Sequence, residues 1–128
     1  MIKAFIFISC SFALGLQAYA QKPPTKQQLE KGKTLAAACI TCHGTTNAIV
    51  ADPLQRIRKF RTADYIYKLM QNPMRFADEN KTAKRVFAKR GSQMQAFPKL
   101  SNDEINAILD YLDSLPYDKN NYKDRIKN

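Results

Sequence analysis

The sequence predicts an all-α domain of about four to five short helices, and three observations carry that expectation. Helix-start signals recur: Thr25 with Gln28, and Ser101 with Glu104, have capping-box spacing, in which each side chain satisfies a backbone N–H of the other residue. Apolar residues return at three- and four-residue intervals, most clearly Ile105, Ile108, Leu109 and Leu112. No segment alternates apolar and polar residues as a half-buried strand does.

Taken in order, the chain of 128 residues begins with a leader. Lys3, an apolar run from Ala4 to Leu16, and Ala18 and Ala20 at A-x-A spacing have the layout of a secretory signal peptide, with cleavage expected after Ala20. The apolar run is short for an uncleaved membrane anchor. A lipid-anchored start at Cys10 is the lesser alternative, because "FIFISC" lacks the usual Leu. Residues 1–20 are therefore read as signal peptide, 21–116 as one domain and 117–128 as a polar, mobile tail. The protein is expected in the periplasm or otherwise exported.

Within the domain, the Thr25 box opens a helix through "KQQLEKGKTLAAA" with Leu29, Gly32, Leu35 and Ala36 along one face. Asp52 before Pro53 suggests an N-cap and first helical position for a short helix toward Phe60. Thr62 caps a further helix in which Ile66, Leu69 and Met70 share a face, and Pro73 stops it. Val86 and Phe87 mark a short helix around residues 82–90 that meets Gly91 as a C-terminal cap. The Ser101 box opens the last helix, which Pro116 ends.

The chemistry sits in "AAACITCHGT", residues 36–45, where Cys39, Cys42 and His43 form C-x-x-C-H. That pattern reads as c-type haem attachment, with a zinc half-site and a redox dithiol as the competing readings. Structural zinc needs four protein ligands, and no other cysteine or histidine follows residue 43. A dithiol oxidoreductase is expected beside a βαβ pattern, whereas these flanks are helical. A bare cysteine pair in an oxidising compartment would tend to close into a disulfide unless other chemistry consumed the thiols. Haem attachment is the favoured reading.

With an export signal, an N-terminal helix, "CITCHG", several short helices and "MQAFPKLSNDEINAILDYL", the chain resembles the class I c-type cytochromes with one haem. The resemblance covers the mature chain apart from its tail. It implies a small cytochrome c-type fold of four to five short helices wrapped around one covalently attached haem c per chain. Cys39 and Cys42 would then be the thioether anchors, since positions i and i+3 project from one side of a helical turn, and His43 the proximal iron ligand. The Pro53 carbonyl would accept the ring N–H of His43 and fix the imidazole's orientation. Gly44 would relieve the backbone beside the porphyrin or serve as an ordinary turn glycine. Leu35 and Gly32 against Tyr111 and Leu112 would form the crossing of first and last helices. The covalent macrocycle would supply much of the interior of so small a domain.

The distal ligand decides what the haem does. One histidine excludes bis-histidine ligation within a monomer. Met70 lies in a helical stripe and reads as core, and Met74 follows Pro73 out of register with the family pattern. Met94, in loop-like "GSQMQAFP", matches the family's distal methionine, although Gln95 stands where the family often has proline. Iron held by His43 and Met94 has no vacancy, so the expected function is one-electron transfer between redox proteins and not enzymatic turnover. The alternative is a haem enzyme or sensor, peroxidase-like or gas-binding, with a labile Met94.

Charge points to partners. The chain carries +10, and loss of the leader removes Lys3 and no acid, leaving +9 before the haem propionates. Lys31 and Lys33 precede the motif, Lys89 and Arg90 precede Met94, and Lys99 follows it. A basic ring there would steer an acidic redox partner, a reductase or an oxidase, to a monomeric carrier. Export and haem argue against nucleic acid, and an anionic membrane surface is a lesser expectation.

Overall fold

The computed structural model describes residues 22–45, 51, 53–91 and 94–117. Five α-helices occupy most of them: α1 (Lys26–His43), α2 (Ala63–Gln71), α3 (Pro73–Glu79), α4 (Lys81–Arg90) and α5 (Asn102–Ser114). A 3-10 turn covers Ile57–Lys59, and no strand occurs among the described residues. The expected leader, residues 1–20, and residues 118–128 lie outside the described residues. Tyr117, the first residue of the expected tail, lies under the Arg56 guanidinium, 4.1 Å from the ring centroid.

Both capping boxes form. Thr25 N–H donates to Gln28 Oε1 at 2.8 Å and Gln28 N–H returns to Thr25 Oγ1 at 3.2 Å. At α5, Ser101 N–H donates to Glu104 Oε2 at 3.0 Å and Glu104 N–H to Ser101 Oγ at 3.3 Å. The Ser101 backbone N–H, then its hydroxyl, then the Lys31 ammonium hold the Glu104 carboxyl below the usual carboxylate range. Lys31 reaches Glu104 at 3.4 Å, so an exposed ion pair joins α1 to the start of α5.

The main packing is α1 on α5, and Gly32 sets its closeness. A Cβ on Gly32 would lie 2.6 Å from the Ala107 carbonyl carbon and 2.9 Å from Tyr111 Cβ, and closer still to the Ala107 carbonyl oxygen, so only glycine fits. Tyr111 was expected at this crossing; Ala107, whose backbone Gly32 meets most closely, was not. One apolar core joins Ala36 and Cys39 of α1, Ile66 and Met70 of α2, and Ile105, Ile108, Leu109 and Leu112 of α5. A second, smaller cluster joins Phe76 and Ala77 of α3 to Ala83 of α4, with Tyr65 packed edge-on to Phe76 at 4.9 Å between ring centroids.

The structure departs from the sequence reading in two places. Pro73 stops α2 but also starts α3 at its first position, because the Asn72 N–H closes α2 on Lys68 O at 3.0 Å while its side chain accepts from Arg75 N–H at 3.2 Å. Asn80 repeats the device between α3 and α4, where its Oδ1 accepts from the N–H groups of Thr82 and Ala83 at 3.0 and 3.1 Å. Pro53, in turn, is not the first position of a helix. The chain enters the 3-10 turn only after Arg56, whose φ of 60° no right-handed helix contains. Long-range contacts override the local preference: Arg56 N–H donates to Asp113 Oδ1, and Arg58 donates to Asp110 Oδ1 at 2.7 Å and Asn106 O at 2.8 Å. The expected cap at Asp52 lies outside the described residues.

Gly32→Ala tests the close approach. Helix propensity alone favours alanine by about 1 kcal/mol, yet the overlap with Ala107 should reverse the sign and cost about 1–3 kcal/mol. The denaturant midpoint of the haem-loaded protein reads the change; a more stable variant would show that α1 and α5 are not in backbone contact.

Candidate functional site

The helix that packs on α5 also delivers the C-x-x-C-H motif. Gly32, Ala36 and Cys39 are its buried residues, spaced by four and three, so Cys39 extends the same inward stripe and is 5 % exposed. Cys42, in the next turn, is exposed. His43 is the last residue of α1 and is half-buried. Gly44 then caps the helix, donating its N–H to Ile40 O at 2.8 Å with φ 66° and ψ −178°. That combination is essentially restricted to glycine, so the chain's exit beside His43 depends on Gly44.

Burial pushes the Cys39 thiol above its ordinary pKa; the neighbouring Cys42 charge adds to this and a backbone hydrogen bond opposes it. A thiol so disposed is a poor redox nucleophile, which wants a depressed pKa and access. A thioether has no proton to lose and tolerates that burial. Among the described residues no three His, Cys, Asp or Glu side chains form a group that could hold a metal ion. Cys39, Cys42 and His43 are thus not gathered into one such group. Two sulfurs three residues apart suit the rim of a macrocycle, and an adjacent imidazole suits its central iron. On these grounds the residues fit a covalently attached haem.

The remaining expected site residues lie on two other segments. Ala51 N–H donates to Cys42 O at 3.0 Å, which brings the chain back to the end of α1 two residues before Pro53. Pro53 is buried. Met94 lies outside the helices, is half-buried, and packs against the same core that contains Cys39 and Met70. Met70 is 4 % exposed inside α2, as expected for a core residue, whereas Met74 is 46 % exposed on α3. A cleft of about 510 Å³ between α2 and α5 is lined by Lys22, Arg58, Arg61, Tyr67, Asn106 and Asp110 among others. Ala63 and Leu109 make part of its wall apolar, and it includes none of the motif residues.

Sequence reasoning missed Arg58, Asn106 and Asp110, which fasten the segment after Pro53 onto α5. Tyr67 Oη joins this set by donating to Asn106 Oδ1 at 2.9 Å. Nothing local marks them, because each bond spans 39 residues or more.

The chain matches the family model described as Cytochrome c over residues 29–116. Among solved structures, a cytochrome c from Rhodothermus marinus is 26 % identical, with a TM-score of 0.59 over 67 % of this chain and 74 % of that one. No curated protein matches the chain.

Covalent haem gives a direct expectation. After competent cytochrome maturation, the band on a denaturing gel should carry haem-linked peroxidase stain that survives acid–acetone extraction. Cys39→Ala with Cys42→Ala should abolish the stain and leave little folded protein. A colourless or zinc-loaded wild-type product would contradict the assignment.

Proposed function

The chain belongs to the cytochrome c family, and from that premise we propose that it is an exported one-electron carrier whose iron is held by His43 and Met94. The observation that carries the reading is the placement of Met94. It lies on the core that receives Cys39, in a segment tied to α2 by the Phe97 N–H donating to Met70 O at 2.8 Å. The other two mature methionines are accounted for, Met70 in the core and Met74 on the outer face of α3.

Bound haem supplies a couple that takes up and releases one electron, with His and thioether ligation favouring a raised potential. Cys39 and Cys42 would hold the haem through thioether bonds, and His43 would ligate its iron. The Pro53 carbonyl accepts the His43 ring N–H, an arrangement favoured by the Ala51–Cys42 bond that returns this segment to the motif. Met94 would supply the second protein ligand to the iron, which would exclude exogenous ligands and leave electron transfer as the available chemistry.

The partner is an acidic redox protein. Lys81, Lys84, Arg85 and Lys89 lie exposed on α4, a helix with no acidic residue. With exposed Lys33 and Lys99 they enter no ion pair among the described residues, whereas Lys31 is partly neutralised by Glu104. Such a field raises encounter rates with a complementary surface.

Met94→Ala should abolish the near-infrared sulfur-to-iron band of the ferric protein, lower the potential and admit carbon monoxide or peroxide, while Met74→Ala leaves all three unchanged. Rapid carbon monoxide binding by the wild type, unaltered in Met94→Ala, would favour a sensor or peroxidase. The bimolecular rate with an acidic redox protein should fall steeply as salt rises through the physiological range. A rate flat with salt would leave the charge a role in solubility alone.

A further inference from the structure

The segment that carries Met94 is fastened to the rest of the molecule by two consecutive residues at the end of α2. Phe97 N–H donates to Met70 O at 2.8 Å. Gln71 Nε2 donates to Leu100 O at 2.9 Å and to Asn102 Oδ1 at 3.2 Å. Between these anchor points Leu100 N–H donates to Phe97 O at 3.1 Å, closing a turn through Pro98 and Lys99. Both ends of the turn are thus tied to one place on α2, and Gln71 links α2, the turn and the first residue of α5.

Apart from the packing of Met94 and Leu100 against the main core, little else holds this stretch. Gln95, Ala96, Pro98 and Lys99 are exposed, and among the described residues no side-chain hydrogen bond reaches residues 94–99. Two residues, Gln95 and Ala96, separate Met94 from Phe97, a reach of about 10 Å at most. The anchored turn therefore limits how far Met94 can stray. Packing does not explain the residue at 71 either, since Gln71 is half-exposed and outside both apolar clusters. What it contributes is a forked donor aimed at two acceptors.

We propose that Gln71 is a positioning residue for the distal ligand: its amide holds the Leu100 end of the turn, so that Met94 stays on the iron in competition with external ligands. This rests on the assignment of Met94 made above. A single thioether–iron bond competes on near-equal terms with other bases, so the free energy of holding the loop adds directly to the apparent strength of that bond. The Phe97–Met70 bond is main-chain to main-chain and out of reach of substitution. Gln71 is the fastening that a side-chain change can release.

The test is equilibrium binding of imidazole to the ferric haem protein, followed by loss of the near-infrared sulfur band, in a short series of variants. Gln71→Glu keeps the shape and removes the donors; Gln71→Leu removes them without adding charge; Gln71→Arg restores N–H donors toward Leu100 O and Asn102 Oδ1. The Glu and Leu variants should keep the band without imidazole but bind imidazole about tenfold more tightly, the equivalent of one lost hydrogen bond. Gln71→Arg should return to within about twofold of wild type, and Ala83→Gly, a destabilising change in the separate α3–α4 cluster, should leave the affinity unchanged while lowering the denaturant midpoint. In a Met94→Ala background the substitutions at Gln71 should have no effect, because no thioether remains to be held. The proposal is overturned if the Glu and Leu variants match wild type, if Ala83→Gly raises the affinity equally, or if the rise persists without Met94. Should Met94→Ala itself leave the band intact, the assignment of Met94 falls and the role of Gln71 with it. The first three failures leave Met94 ligation standing.

Discussion

The backbone contact between α1 and α5 at Gly32 governs where the chemistry sits. A helix has one inward stripe, and on α1 that stripe runs through Gly32 and Ala36 to Cys39. Seating Gly32 on Ala107 leaves no rotational freedom: the first cysteine must enter the core while the second, three residues on, stays at the surface. Burial raises the pKa of the thiol that enters and so disfavours its thiolate, a setting that suits a sulfur committed to a covalent bond. Gly44 then ends the helix beside His43 in a conformation other residues avoid. Attachment geometry and helix packing are consequences of one register.

The opposite side of the core is organised by α2. Ile66 and Met70 face inward against α5, and the end of the same helix receives the Phe97–Leu100 turn through Met70 O and the Gln71 amide. Polar groups on α5 hold the third segment, where Arg58 bridges to Asp110 and to the carbonyl of Asn106. Half-exposed ion pairs of this kind contribute little stability, about 0–1 kcal/mol each. Their effect here is geometric, since they fix the path of the chain just after Pro53. Three segments far apart in sequence are thereby brought to a single apolar interior.

Much of this was legible from residue order alone, for reasons that are local. The boxes at Thr25 and Ser101, the stripe of α5, the core role of Met70 and the Gly91 cap, which has φ 65°, all rest on interactions within a few residues. The C-x-x-C-H motif is likewise local and named the chemistry. What sequence reasoning missed depends on partners far along the chain or on one residue serving two elements. Asn72 and Asn80 each end one helix and begin another, which hid α3 behind the reading of Pro73 as a stop. Arg56 adopts a left-handed conformation while its N–H bonds Asp113, so the helix expected at Pro53 gave way to a single 3-10 turn. Gln71 carries no sequence signal at all, because both of its acceptors lie about thirty residues downstream.

The basic helix α4 stands apart from the main core, packed through its own small cluster with α3, so its charge is free to serve encounter without burdening the site. The proposed reading is narrower: the iron would be held by the His43 nitrogen at the end of α1 and by the Met94 sulfur in the segment fastened to α2. X-ray absorption at the iron edge, recorded on the ferric and the ferrous protein, tests it most directly. The account predicts one sulfur scatterer beside five nitrogens in both oxidation states. A shell of light atoms only, or a five-coordinate iron in either state, would contradict it.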